Sequence, residues 1–159
     1  MSQFDFKRLN RTIVIYRVVQ FLLLTLLVAM VLVFQSRYGA LGKPDHFFKS
    51  IVAAILSQAV MFYPIYRLAL RDASVELDSS VSGLSDDIMK ALRKKRLMGD
   101  LWKMSLIIFF VFFIMRAPGA EKAGTPFFQS TAMFSFLLIF LTYFQCFNSS
   151  AKKRMKQEN

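Results

Sequence analysis

Cysteine and histidine are almost absent from this chain: Cys146 and His46 are the only ones in 159 residues. A lone cysteine excludes an internal disulfide, and the two residues together supply no cluster with metal-ligand spacing. Charge is missing from three long stretches as well. Val18–Ser36, Ser50–Tyr66 and Pro126–Ala151 contain no Asp, Glu, His, Lys or Arg, so nothing in them can relay a proton or act as a general acid or base. No pairing of serine, cysteine and histidine marks a nucleophile, and no glycine-rich loop is set to cradle a phosphate. The chain reads as a non-enzyme with no cofactor and no metal site.

What fills those stretches is apolar. Hydrophobic residues make up 55% of the chain, with 18 Phe and 9 Met, and mean hydropathy is +0.43, well above the composition of a soluble domain. They occur in runs and not at the three-and-four spacing of a helix with one wet face, which indicates helices surrounded by lipid or protein. A spanning helix needs about 20 residues to cross roughly 30 Å of hydrocarbon. The expected architecture is all-α: one domain over 1–159, with spans at 15–36, 47–69, 99–117 and 126–148 and a loop over 70–98.

The third span is the short one, since only Met104–Met115 separates Lys103 from Arg116, about 18 Å of helix. It reaches both headgroup layers if Lys103 and Arg116 snorkel, with Trp102 at an interface. An in-plane or re-entrant segment would leave three spans and send the tail "AKKRMK" across the membrane. Charge counting favours four. One face then carries 16 of the 21 basic residues and the other only Arg37, Lys43, Lys49, Arg116 and Lys122, so the positive-inside rule places both termini in the cytoplasm. The net charge of +11 is thereby a topology signal, and nucleic acid is not expected as a partner. The first apolar run is too long for a signal-peptide core and should remain as an anchor. Short loops suit a bacterial inner membrane.

Helix breakers give the organisation. Gly39, Gly42 and Pro44 interrupt the pattern between the first two spans, and "APGAEKAGTP" does so between the last two. The N-terminal segment mixes Phe4, Phe6, Leu9, Ile13 and Tyr16 with basic residues and suits the inner leaflet. In the 70–98 loop, the second helix continues through Arg71, Asp72, Val75 and Glu76, "DSSVSG" turns, and Ser85 caps a new helix with Asp86 and Asp87 in its first turn. Leu84, Ile88, Ala91, Leu92, Met98 and Trp102 lie on one stripe of that helix. The expected product is a helical hairpin projecting into the cytoplasm. Its basic run, Lys90, Arg93, Lys94, Lys95 and Arg96, is the candidate contact with anionic lipid or with a partner, and with the acidic rim Asp72, Glu76 and Asp78 on the other arm the opposed charges either hold the hairpin itself together or meet a partner's.

Within the spans, neutral polar residues are the remaining candidates. Ser57 and Gln58 in the second span, near the small residues Ser50, Ala53 and Ala54, and Thr131, Ser135, Thr142 and Gln145 in the fourth, suit helix packing inside the membrane. Pro64 should bend the second helix. With chemistry absent, the sequence points to an accessory or structural subunit of a larger membrane complex, with membrane lipids and other integral subunits as partners. A small oligomeric transporter, channel or lipid-handling protein is the alternative, its pathway following Gln58 and the polar seam of the fourth span.

Overall fold

A computed structural model describes residues 5–116 and 125–158, with side chains described for 5–112 and 127–157. The described chain is all-helical: α1 (Lys7–Ala40), α2 (Pro44–Asp78), α3 (Asp86–Arg116) and α4 (Thr125–Glu158). Three helices are long and apolar enough to cross a membrane, namely α1, α2 and the Phe127–Gln157 part of α4. The expected loop 117–126 and the Arg116 side chain lie outside the residues whose side chains are described.

Local chemistry sets the helix ends. At the close of α1, Gly42 adopts φ 65°, the left-handed conformation that glycine enters without a Cβ clash. Its N–H bonds the Gly39 carbonyl at 3.1 Å, and the Lys43 N–H bonds the Tyr38 carbonyl at 3.0 Å. These bonds occupy carbonyls that the last turn leaves without helical partners. Pro44 then opens α2, where its missing N–H costs nothing. A three-residue connection therefore turns the chain back on itself. Between α2 and α3, the Ser79 and Ser80 hydroxyls bond the Glu76 carbonyl, Gly83 takes φ 82°, and the Met89 N–H bonds the Ser85 carbonyl at 3.0 Å, so α3 opens on Ser85. The Asp5 N–H ties the N-terminal segment to this turn through the Ser80 carbonyl at 2.8 Å.

The core joins α1, α2 and α4. At one end, Leu9 and Ile13 of α1 pack with Ile65, Ala69, Ala73 and Leu77 of α2 and with Phe140, Tyr143, Phe144, Phe147 and Ala151 of α4. The buried α2 residues are four apart, a single ridge, and the alanines in it let the α4 aromatics approach the backbone. Tyr16 sets its ring edge-on to Phe144 and Phe147, each at 4.8 Å between centroids, a favoured aromatic geometry. A smaller cluster at the other end unites Phe34, Tyr38, Phe47, Ala54 and Phe134, pinned by a 2.9 Å hydrogen bond between the Tyr38 and Ser130 hydroxyls. α1 and α4 run antiparallel and α2 and α4 parallel, as these pairings require.

α3 lies outside this trio. Its inward-facing residues are Met89, Leu92, Arg96, Gly99, Lys103 and Phe110, at helical spacings of three, four and seven, while Ile88, Met98 and Trp102 of the expected apolar stripe are exposed. Of that stripe, Leu92 alone is buried. The edge of α3 that meets the bundle thus mixes two basic residues with Met89, Leu92 and Phe110, and Leu97, Leu101, Met104, Leu106, Ile107, Ile108, Phe109, Val111 and Phe112 are exposed.

Candidate functional site

Two polar constellations stand out from this apolar fold. The first fastens α3 to α2. Arg96 of α3 makes a forked, bidentate pair with the Glu76 carboxylate, the geometry that matches the planar guanidinium to two carboxylate oxygens. Two turns further along, Lys103 Nζ lies 3.1 Å from Asp72 Oδ2 and 3.3 Å from Asp100 Oδ1, and 5.1 Å from the centre of the Tyr143 ring, a cation–π distance. The Tyr143 hydroxyl donates to Asp72 Oδ2 at 2.7 Å, and Arg71 bonds Asp72 Oδ1 at 3.1 Å. Asp72 therefore joins α2, α3 and α4 at one point.

The spacing explains why these partners meet. Asp72 and Glu76 lie four apart on α2, Arg96 and Lys103 seven apart on α3, so each pair lies on one face of its helix. Gly99 falls between the two basic residues. A Cβ there would approach Asp72 Oδ1 to 3.3 Å, so glycine permits the closeness on which the ion pairs depend. The carboxylates of Asp72 and Glu76 are shielded, with side chains 11% and 13% exposed. Around them Tyr16, Arg96, Asp100 and Lys103 line a void of about 20 Å³, with room for roughly one water molecule. Lys103 thus turns inward to the carboxylates of Asp72 and Asp100.

The second constellation runs between the helices at mid-height. Gln58 donates to the Thr142 hydroxyl at 2.6 Å, and Gln20 donates to Gln145 Oε1 at 2.7 Å. Gln20, Gln145 and Thr142 border an open groove of about 620 Å³ between α1, α2 and α4, and Gln58 reaches it only through its bond to Thr142. The sequence candidates Gln58, Thr142 and Gln145 therefore come together, joined by Gln20, which sequence reasoning passed over. Thr131 is half-buried with a hydroxyl that has no hydrogen-bond partner among the described residues, and Ser57 and Ser135 are half-buried. These three stay apart from the groove.

The basic run divides. Lys90, Arg93, Lys94 and Lys95 are exposed, whereas Arg96 belongs to the inner pair with Glu76. Also missed were Tyr143, Gly99 and the buried alanines Ala69 and Ala73, while Tyr16, read as part of an inner-leaflet segment, packs into the core. The complementary spacing of Asp72/Glu76 and Arg96/Lys103 was the available signal, because a hairpin turn between their helices brings the faces opposite.

Comparison with protein-family models, with curated proteins and with solved structures finds no match.

Proposed function

We propose that the chain is a non-catalytic accessory or structural subunit of a larger membrane protein complex in a bacterial inner membrane, with α3 as a fourth span and both termini cytoplasmic. The observation that carries this reading is the asymmetry of α3. Its Arg96 and Lys103 are consumed in ion pairs with α2 and Phe110 stacks on Phe136 of α4, while Leu97, Leu101, Met104, Leu106, Ile107, Ile108, Phe109 and Val111 are exposed. A helix so arranged is held along one narrow edge, by charge at one end and by a ring stack towards the other, and offers its remaining faces to neighbours. Membrane helices associate through close packing, so an outward face of this length suits the helices of another subunit. The exposed Lys90, Arg93, Lys94 and Lys95 continue that surface past the membrane, where anionic headgroups or an acidic partner meet them. The four-span orientation is supported by the 16-to-5 division of basic residues.

The test is recovery of the tagged chain from its own membrane in mild detergent, followed by mass spectrometry and native sizing. Stoichiometric larger subunits are expected, and Ile108→Asn on the outer face of α3 should release them. A chain that elutes alone as a defined oligomer and moves a solute across vesicles would replace this reading with the transporter alternative.

A further inference from the structure

The groove between α1, α2 and α4 is graded along its length. Arg17 stands at its mouth, the hydrogen-bonded pair Gln20–Gln145 and Thr142 come next, and Phe21, Leu24, Phe62 and Leu141 line the remainder. Its volume of about 620 Å³ is within the roughly 300–1,000 Å³ of sites that enclose small ligands. Arg17 has no ion-pair partner among the described residues, unlike Arg71, Arg96 and Lys103. Gln145, which lines the groove, spends its oxygen on Gln20, so its NH2 group is the part that can donate to a ligand. A cation, then amide donors, then hydrocarbon is the polarity sequence of an amphiphile with an anionic head.

We propose that this groove holds one anionic glycerophospholipid of the bilayer. The Arg17 guanidinium pairs with the phosphate, whose oxygens match its fork of donors. The Gln145 amide donates to an ester carbonyl below the phosphate, and one acyl chain lies along Phe21, Leu24 and Phe62. Arg17 is on the end of α1 that also carries Lys7, Arg8 and Arg11, so the headgroup lies at the level of the basic layer. The site holds whether the chain serves a complex or stands alone, because all its residues belong to α1, α2 and α4.

Cys146 lines the same groove and is the chain's only thiol, which provides the test. The full chain, stripped of lipid in mild detergent, would be titrated with phosphatidylglycerol or phosphatidylcholine, with bound lipid counted by native mass spectrometry and Cys146 alkylation by a maleimide followed in parallel. One phosphatidylglycerol per chain is expected, with slowed alkylation. Arg17→Gln should weaken that binding about five-fold, the effect of roughly one headgroup–base contact, while Lys153→Gln, which removes an exposed charge outside the groove, should change it by less than about two-fold. Gln145→Leu, which removes the proposed ester contact, should also weaken phosphatidylglycerol binding. Equal losses for Arg17→Gln and Lys153→Gln would reduce the effect to general surface charge and overturn the proposal. So would protection of Cys146 by inorganic phosphate alone, or by a second copy of the chain in a lipid-free dimer. If Arg17→Gln fails to fold, protection of Cys146 in the unsubstituted chain by phosphatidylglycerol but not phosphatidylcholine still decides the matter.

Discussion

The seam between α2 and α4 and the seam between α2 and α3 use the same helix but different physics. Against α4, α2 presents Ala69 and Ala73, both fully buried, to Phe140, Phe144 and Phe147. Against α3 it presents Asp72 and Glu76 to Lys103 and Arg96. The first contact relies on shape, since lipid tails are as apolar as leucine and only close packing favours one apolar neighbour over another. The second relies on charge between partly shielded side chains, where desolvation is partial and paired ions remain favourable. A helix fastened by shape along its length becomes part of the core. One fastened by charge at one end keeps its other faces available.

Breaking the ionic seam should give the largest effect. Asp72→Ala leaves Lys103 with Asp100 alone and the Tyr143 hydroxyl without its acceptor, and costs about 3 kcal/mol, visible as faster hydrogen exchange of the α3 amides from Leu92 to Lys103 while α4 stays protected. Equal exchange in both helices would show that the seams are not separable. Overpacking the shape-based seam comes next: Ala73→Leu should cost about 2 kcal/mol and lower the melting temperature of the whole trio. Its complement is milder, because Gln58→Leu removes a bond to Thr142 that double-mutant cycles in membranes value at about 0.6 kcal/mol.

A fourth substitution set sharpens the division within the basic run. Neutralising Arg93, Lys94 and Lys95 together should leave α3 exchange unchanged and weaken partition to anionic vesicles by up to about 1 kcal/mol per charge. Arg96→Gln should do the reverse, loosening α3 with little change in partition. The smallest expected effect concerns orientation. Asn10 and Asn148 both begin acceptor sequons, and with cytoplasmic termini neither should gain a glycan in a eukaryotic host; a mass shift at either residue would reverse the proposed topology.

Much of the helix plan was legible in the residues. Gly42 and Pro44 mark the first turn because the backbone there needs a left-handed residue followed by one without an N–H. Ser85 and the two aspartates after it mark the start of α3 because carboxylates suit the positive end of a helix. The partners were less legible. Arg96 looks like its neighbours Lys94 and Lys95 in a one-dimensional string, and only the hairpin places it opposite Glu76. Gln20 lies in a run of apolar residues with nothing local to indicate Gln145, 125 positions away.

By itself, then, the sequence determined that the chain is helical, where the helices break, and that three of them are apolar enough to cross a membrane. Those properties follow from local backbone preference and from hydrophobicity summed along a run, and both can be read residue by residue. Which faces meet was decided only in three dimensions. Apolar faces in lipid are nearly interchangeable, so the choice falls to a few alanines, one glycine and the opposed charges of Asp72, Glu76, Arg96 and Lys103, whose effect depends on approach to within about 3–4 Å.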